Sequence, residues 1–147
     1  MPTRIRPSSL LSILTLVAVF AAGALAGPYL GVAAQSSAKV YELRTYTAPE
    51  GKLADLHKRF REHTLRIFEK HGMTNVIYLA PLDEPLKDTT LVYLLAHQSR
   101  EAAKASWDAF RNDPEWKKVS SESQMNGPIV TKVESVFLQA TDYSPMK

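Results

Sequence analysis

The stretch Val40-Tyr41-Glu42-Leu43-Arg44-Thr45-Tyr46-Thr47 decides the fold, because it alternates two kinds of side chain in the manner of a β-strand. Successive side chains on a strand point to opposite faces of a sheet, so Glu42, Arg44 and Tyr46 share one face. A carboxylate and a guanidinium are costly to bury unless they are paired and hydrogen-bonded. The pattern therefore predicts either a structural ion-pair network or the floor of a polar pocket.

Working outward from this strand, the chain repeats a strand, a helix and a second strand. The predicted strands cover 39–47, 74–80, 89–97 and 129–140. The first helix should end at Gly72, and its buried stripe comprises Leu53, Leu56, Phe60, Thr64, Ile67 and Phe68. Its opposite, polar side comprises Lys52, Asp55, Lys58, Arg59, Glu62, Arg66 and Glu69. Ser99 should cap a second helix over 100–111, and Asp113 should cap a short helix that Pro114 begins.

The β-α-β-β-α-β order predicts an α+β fold, a ferredoxin-like sandwich with strands one and three at the centre of one antiparallel sheet. Both helices should then cover the same face of the sheet. The other face also carries Tyr, Leu and Val side chains, which require a cover. A homodimer that buries one sheet against another would supply it.

Residues 1–34 have the pattern of a secretory signal peptide. Arg4 and Arg6 precede an apolar run from Leu10, and small residues follow. Cleavage is predicted after Ala34, with Ala26 as the alternative site. An uncleaved anchor through residues 10–26 is the competing interpretation, since this run of 17 residues, broken only by Ser12 and Thr15, approaches the length of a spanning helix. The sequence thus predicts an exported domain over 35–147, periplasmic or extracellular, with membrane contact only if the segment is retained.

Charge and cysteine content exclude several classes of function. The precursor carries a net charge of +3, but residues 35–147 carry only +1, because two arginines belong to the leader. Nucleic-acid binding requires a clustered excess of Lys and Arg, which is not present. The chain has no cysteine, so disulfides, thiolate metal sites and thiol nucleophiles are excluded.

The last predicted strand should neighbour strand one and carries two more charged residues. Lys132 could pair across the sheet with Glu42, and Glu134 with Arg44, in a register that the sequence does not define. Such pairs would form a structural lattice that sets strand register or dimer alignment. The alternative is a clamp for an anionic or polar ligand, with Arg44 as a bidentate donor.

Four histidines, at 57, 63, 71 and 97, lack the spacing of a helical metal clamp, so a metal site is not predicted. No cofactor is predicted either, with haem as the alternative. His63 lies at the edge of the apolar stripe and His97 ends a central strand. Both suit hydrogen-bonded boundary positions. If a pocket lies between helices and sheet, His63 could instead point into it as a base or as an axial haem ligand. Trp116 could stack on a ligand, although core packing is its simpler role.

Five short motifs, in order across nearly all of residues 35–147, resemble the NIPSNAP domain. They are Tyr41-Glu42-Leu43-Arg44-x-Tyr46, Pro49-x-Gly51-Lys52, Glu69-Lys70-His71-Gly72, Asp113-Pro114-Glu115-Trp116 and Tyr143-Ser144-Pro145. The resemblance implies a homodimer of the dimeric α+β barrel superfamily, whose members include small monooxygenases, isomerases and haem-degrading enzymes. NIPSNAP members have no generally agreed catalytic activity.

Two functional hypotheses follow. The first is a non-catalytic or weakly catalytic homodimeric domain that binds a small apolar or aromatic ligand, or a partner, between helices and sheet. The predicted ligand-binding residues are Glu42, Arg44, Tyr46, His63, His97 and Trp116. The second is a cofactor-independent monooxygenase or isomerase, with haem binding through His63 as a further alternative. Catalysis would use His63 as base and Arg44 with Tyr46 to stabilise developing negative charge. It requires a cavity that reaches both His63 and Arg44.

Overall fold

A computed structural model describes residues 39–146, and its elements follow the predicted order. They are β1 (Val40–Thr47), α1 (Leu53–Arg59), a π-helical turn (Phe60–Thr64), α2 (Leu65–Lys70), β2 (Thr74–Leu79), β3 (Thr90–His97), α3 (Arg100–Asn112), α4 (Pro114–Ser123) and β4 (Lys132–Gln139). The last strand begins at Lys132, three residues later than predicted. The predicted signal peptide lies outside the described residues.

The four strands form one antiparallel sheet in the order β2-β3-β1-β4. Strands one and three are therefore central, as predicted. The helix-facing side of β3 presents Leu91, Tyr93 and Leu95, each at most 1% exposed. They form the core with Phe60 and Phe68 of the first helical segment. This arrangement is the α+β, ferredoxin-like sandwich that the element order predicted.

The first helix contains a π-helical turn, which agrees with the four-residue spacing of its buried side chains. Leu56, Phe60, Thr64 and Phe68 recur at intervals of four residues, and all are at most 4% exposed. Four residues exceed one α-helical turn of 3.6 residues, so an apolar stripe with this spacing drifts around a regular helix. The wider π turn at Phe60–Thr64 returns the stripe to the sheet.

Both predicted helix caps are formed. Ser99 Oγ accepts a hydrogen bond from the Ala102 amide at 3.1 Å and begins α3. Asp113 Oδ1 accepts from the Glu115 and Trp116 amides at 2.7 and 3.3 Å and begins α4. The other oxygen of Asp113 lies 2.6 Å from His71 Nε2 and 2.7 Å from Lys70 Nζ, so this carboxylate also joins α4 to the end of α2.

The side of the sheet away from the helices is largely apolar and partly exposed, and it carries no helix of residues 39–146. Ile77, Leu94, Leu43 and Val136 are opposite one another in register and form a row across all four strands. Ile77 is 46% exposed and Val136 53% exposed. Leu79, Val92 and Leu138 extend the same surface along the strands. We call this surface the open sheet face.

Within residues 39–146, no helix combines the length and the apolar character needed to cross a membrane.

Candidate ligand-binding site

Glu42 lies on the helix-facing side of β1 and is almost completely buried, at 1% exposure. Its Oε1 accepts hydrogen bonds from Arg44 Nη1 and Ser135 Oγ, both at 2.6 Å. Its Oε2 lies 2.6 Å from Trp107 Nε1 and 3.1 Å from His97 Nε2. The buried carboxylate therefore has four partners, drawn from β1, β3, β4 and α3.

These partners determine the charge of Glu42. Burial acts to raise the pKa of this carboxyl group, but the hydrogen bonds from His97, Ser135 and Trp107 outweigh burial. Together with the charge of Arg44 they lower the pKa from 4.5 to about 2. Glu42 is thus ionised at neutral pH, and its four partners leave it little capacity to bind anything else.

The possible pairing of Glu42 with Lys132 and of Arg44 with Glu134 is not formed, and that prediction is wrong. In the observed register Glu134 is opposite Thr45 and Lys132 is opposite Thr47, which places both charges on the open sheet face. They pair with each other at 2.9 Å instead, with more than half of each side chain exposed. The side-chain period of a strand is two, so a shift of one residue in register moves every side chain to the other face.

Arg44 is held on both sides by groups of the fold. Its Nη1 donates to Glu42, and its guanidinium carbon lies 4.1 Å from the centre of the Trp107 ring. Tyr46 contacts the edges of Phe60 and Tyr93, with ring centres 5.8 and 5.3 Å apart. Of the two alternatives for Glu42 and Arg44, this geometry favours the structural ion-pair network.

Arg59, at the end of α1, differs from Arg44 in having no counter-ion. It is 6% exposed, and no carboxylate of residues 39–146 forms an ion pair with it. Its Nη1 donates a long, 3.4 Å hydrogen bond to Ser123 Oγ, and its guanidinium carbon lies 5.1 Å from the Trp116 ring centre. Its Nε makes no hydrogen bond to the described residues. Burial lowers its pKa, because a buried cation without a partner is disfavoured.

The prediction for Arg59 was therefore wrong, since the sequence assigned it to the polar, exposed side of the helix. Two features bury it. The π turn begins at the next residue, where Thr64 Oγ1 donates to the Arg59 carbonyl at 3.2 Å. In addition, α4 packs against α1 and brings Val119 and Ser123 to this side. The four-residue spacing of the apolar residues was the signal in the sequence that could have indicated a π turn. Because π turns are frequent at functional sites, it could also have directed attention to Arg59.

Tyr93 is fully buried, and its hydroxyl makes no hydrogen bond of ordinary geometry to the described residues. Burial, followed by the neighbouring Tyr46, raises the pKa of Tyr93, so its hydroxyl remains a protonated donor at neutral pH.

Arg59 also lines a surface groove of about 340 Å³ between the first helix and α4, which we call the α1–α4 groove. Its lining residues are Asp55, Lys58, Arg59, Glu62, His63, Val119, Glu122, Ser123 and Asn126. A ligand can therefore approach Arg59 from solvent through this groove.

The structure distributes the remaining predicted site residues among different places. His63 lines the α1–α4 groove, with 41% of its side chain exposed, whereas Arg44 and Tyr46 do not line that groove. Phe60, Tyr93 and Trp107 are buried in the layer between helices and sheet. The structure thus brings Arg44 and Tyr46 together with Glu42 and His97, but it does not bring His63 to them.

Trp116 packs on Phe110, with ring centres 4.3 Å apart, and also borders Arg59. In residues 39–146, no group of three or more potential ligands among His, Asp and Glu is placed to hold a metal ion. Haem binding through His63 stays a prediction.

The four strands form one antiparallel sheet, and every helix of residues 39–146 contributes to a core on the same side of it. This arrangement defines an α+β ferredoxin-like domain of the dimeric α+β barrel fold. Within this class the family is identified by sequence. The family model described as NIPSNAP matches residues 41–145, and the chain belongs to the NIPSNAP family. The resemblance noted in five short motifs is confirmed.

Solved structures agree with this assignment. A NIPSNAP family protein of unknown function from Agrobacterium tumefaciens is 19% identical, with a TM-score of 0.65 over 76% of this chain and 96% of its own. A NIPSNAP-like domain protein from Burkholderia xenovorans is 16% identical, with a TM-score of 0.64 over 74% and 90%. SnoaB, a cofactor-independent oxygenase from Streptomyces nogalater, is 14% identical, with a TM-score of 0.50 over 74% and 98%. At these identities the similarity shows the fold alone. No match was found among curated proteins.

Proposed function

We propose that this NIPSNAP domain is a small-molecule binding module that holds an anionic group of its ligand at Arg59. The observation that carries the proposal is the burial of Arg59 without a carboxylate partner. A buried guanidinium is disfavoured unless an acceptor compensates for its lost hydration. An oxyanion such as a carboxylate matches the planar donor arrangement of arginine and accepts from two nitrogens at once.

The surroundings of Arg59 support the same proposal. The α1–α4 groove, at about 340 Å³, falls in the size range of small-ligand sites and opens to solvent. Trp116 provides an aromatic surface beside the guanidinium, which suits the apolar or aromatic body expected of the ligand. Arg44 takes no part, because Glu42 already neutralises it.

Tryptophan fluorescence offers a direct test, because Trp116 borders the site and the chain has only one other tryptophan. Residues 35–147 would be titrated with panels of small carboxylates, phosphates and sulfonates, and with the matching neutral amides. We expect saturable changes with at least one class of anion and none with the amides.

Arg59→Gln should abolish the response to anions. The matched control is Arg111→Gln, since Arg111 is exposed and pairs with Asp108 on its own helix. The control should bind as the unaltered protein does. Saturable anion binding that persists in Arg59→Gln would contradict the proposal.

We further propose that two copies of the domain associate through the open sheet face. The supporting observation is the row of Ile77, Leu94, Leu43 and Val136, because an apolar surface of this kind is rarely left to solvent. Burying it against an identical face closes the assembly with two-fold symmetry. Native mass spectrometry of residues 35–147 would test this proposal, and a purely monomeric species at micromolar concentration would contradict it.

Export of this domain by residues 1–34 remains part of the proposal, on the strength of their signal-peptide pattern.

A further inference from the structure

The charges of the α1–α4 groove are unevenly distributed between its floor and its rim. Arg59 is buried at the floor, whereas Asp55, Glu62 and Glu122 line the same groove with exposed side chains. Lys58 is the one lysine among the lining residues. The rim therefore has more negative than positive charge, opposite in sign to the floor.

The three rim carboxylates are only weakly engaged by their neighbours. Asp55 lies 3.3 Å from Lys52 and Glu122 lies 3.9 Å from Lys118, and both carboxylate side chains are more than half exposed. Glu62 lies 3.9 Å from His63. Exposed ion pairs of this kind are weak, because solvent screens both charges. All three carboxylates thus remain available to a cationic group in the groove.

A ligand that carries only a negative charge would be attracted by Arg59 but repelled by the carboxylates of the rim. A ligand with an anionic and a cationic group at its two ends would match both parts of the groove. We propose, resting on the anion-binding function above, that the ligands of this site are small zwitterions of the amino-carboxylate class. The carboxylate would contact Arg59, and the ammonium group would face Asp55, Glu62 and Glu122.

The test compares acids with and without the ammonium group. Straight-chain acids from acetate to hexanoate and their ω-amino counterparts, from glycine to 6-aminohexanoate, would be titrated into residues 35–147 at pH 7. Affinities would be measured by calorimetry and by tryptophan fluorescence. We expect at least one amino acid of the series to bind about tenfold more tightly than the acid of the same length, since opposite charges attract at the rim.

Two variants assign the effect to the rim. In the first, Asp55→Asn, Glu62→Gln and Glu122→Gln are combined, which should reduce the tenfold ratio to about one. In the control, Glu50→Gln, Glu84→Gln and Glu101→Gln make the same change in net charge at exposed positions outside the groove. The control should keep the full preference for the amino acid.

The outcomes separate the two proposals. If acids and amino acids bind equally and depend on Arg59, the zwitterion proposal is overturned and the anion site stands. The same conclusion follows if the rim variant keeps the preference for the ammonium group. If no member of either series binds, both proposals are overturned for carboxylate ligands.

Discussion

The indole nitrogen of Trp107 donates to Glu42 at 2.6 Å and thereby ties α3 to the central strand of the sheet. The same carboxylate accepts from Arg44 and Ser135 and contacts His97. Three strands and α3 thus contact one buried carboxylate, that of Glu42.

Glu42→Gln should lower the free energy of unfolding by about 2–3 kcal/mol. The amide keeps the size of the side chain but leaves the guanidinium of Arg44 without its counter-ion and weakens the other hydrogen bonds. Urea denaturation measures the loss. The control is Glu134→Gln, whose exposed pair with Lys132 should contribute less than about 0.5 kcal/mol. Equal effects of the two substitutions would show that the buried network does not stabilise the fold.

The same network predicts a specific acid sensitivity. The pKa of Glu42 is about 2 in the folded protein and 4.5 ordinarily, so as pH falls the unfolded chain takes up the proton first. The stabilisation is therefore complete above pH 5 and is lost progressively as the pH falls towards 2. The shift corresponds to about 3 kcal/mol.

Subtracting the Glu42→Gln curve from that of the unaltered protein isolates this contribution from other carboxylates. The difference in unfolding free energy should shrink between pH 5 and pH 2. A difference that stays constant over this range would refute the assignment of the low pKa to Glu42.

Arg59→Met should increase the stability of the ligand-free protein by about 1 kcal/mol while abolishing anion binding. A methionine fills a similar volume and removes a buried charge that has no partner. Thermal unfolding, monitored in a buffer without small organic anions, measures the gain. Arg111→Met, at an exposed position, should change stability by less than about 0.5 kcal/mol. A marked loss of stability in Arg59→Met would indicate that Arg59 serves the fold rather than a ligand.

Val136→Glu should convert the proposed dimer to a monomer, because it places a charge in the central row of the open sheet face. Val133 is the matched control, since it lies on the same strand, is 46% exposed and points to the other side of the sheet. Val133→Glu should leave the dimer intact. Sedimentation velocity distinguishes the two species, and dissociation by both substitutions would argue against an interface confined to the open face.

The fold was largely predictable from sequence because its signals are local. Each signal depends on residues close by in the sequence. The signals are the alternation in β1, the four-residue spacing of Leu56, Phe60 and Thr64, the helix end at Gly72 and the cap at Ser99. The candidate site was less predictable. His63, chosen for its position at the edge of the apolar stripe, lies at the rim of the groove, whereas Arg59 lies at its floor.

The sequence by itself determined the order of elements, the division of β1 into two faces and the membership of the NIPSNAP family. These depend on side-chain periodicity and short motifs, which are properties of the local sequence and do not depend on tertiary contacts. Only the tertiary structure decided that Lys132 and Glu134 lie away from Glu42 and that Arg59 is buried. Strand register and the packing of α4 on α1 involve residues that are distant in sequence. A shift of one residue in strand register, or the insertion of one π turn in a helix, changes which side chains contact each other.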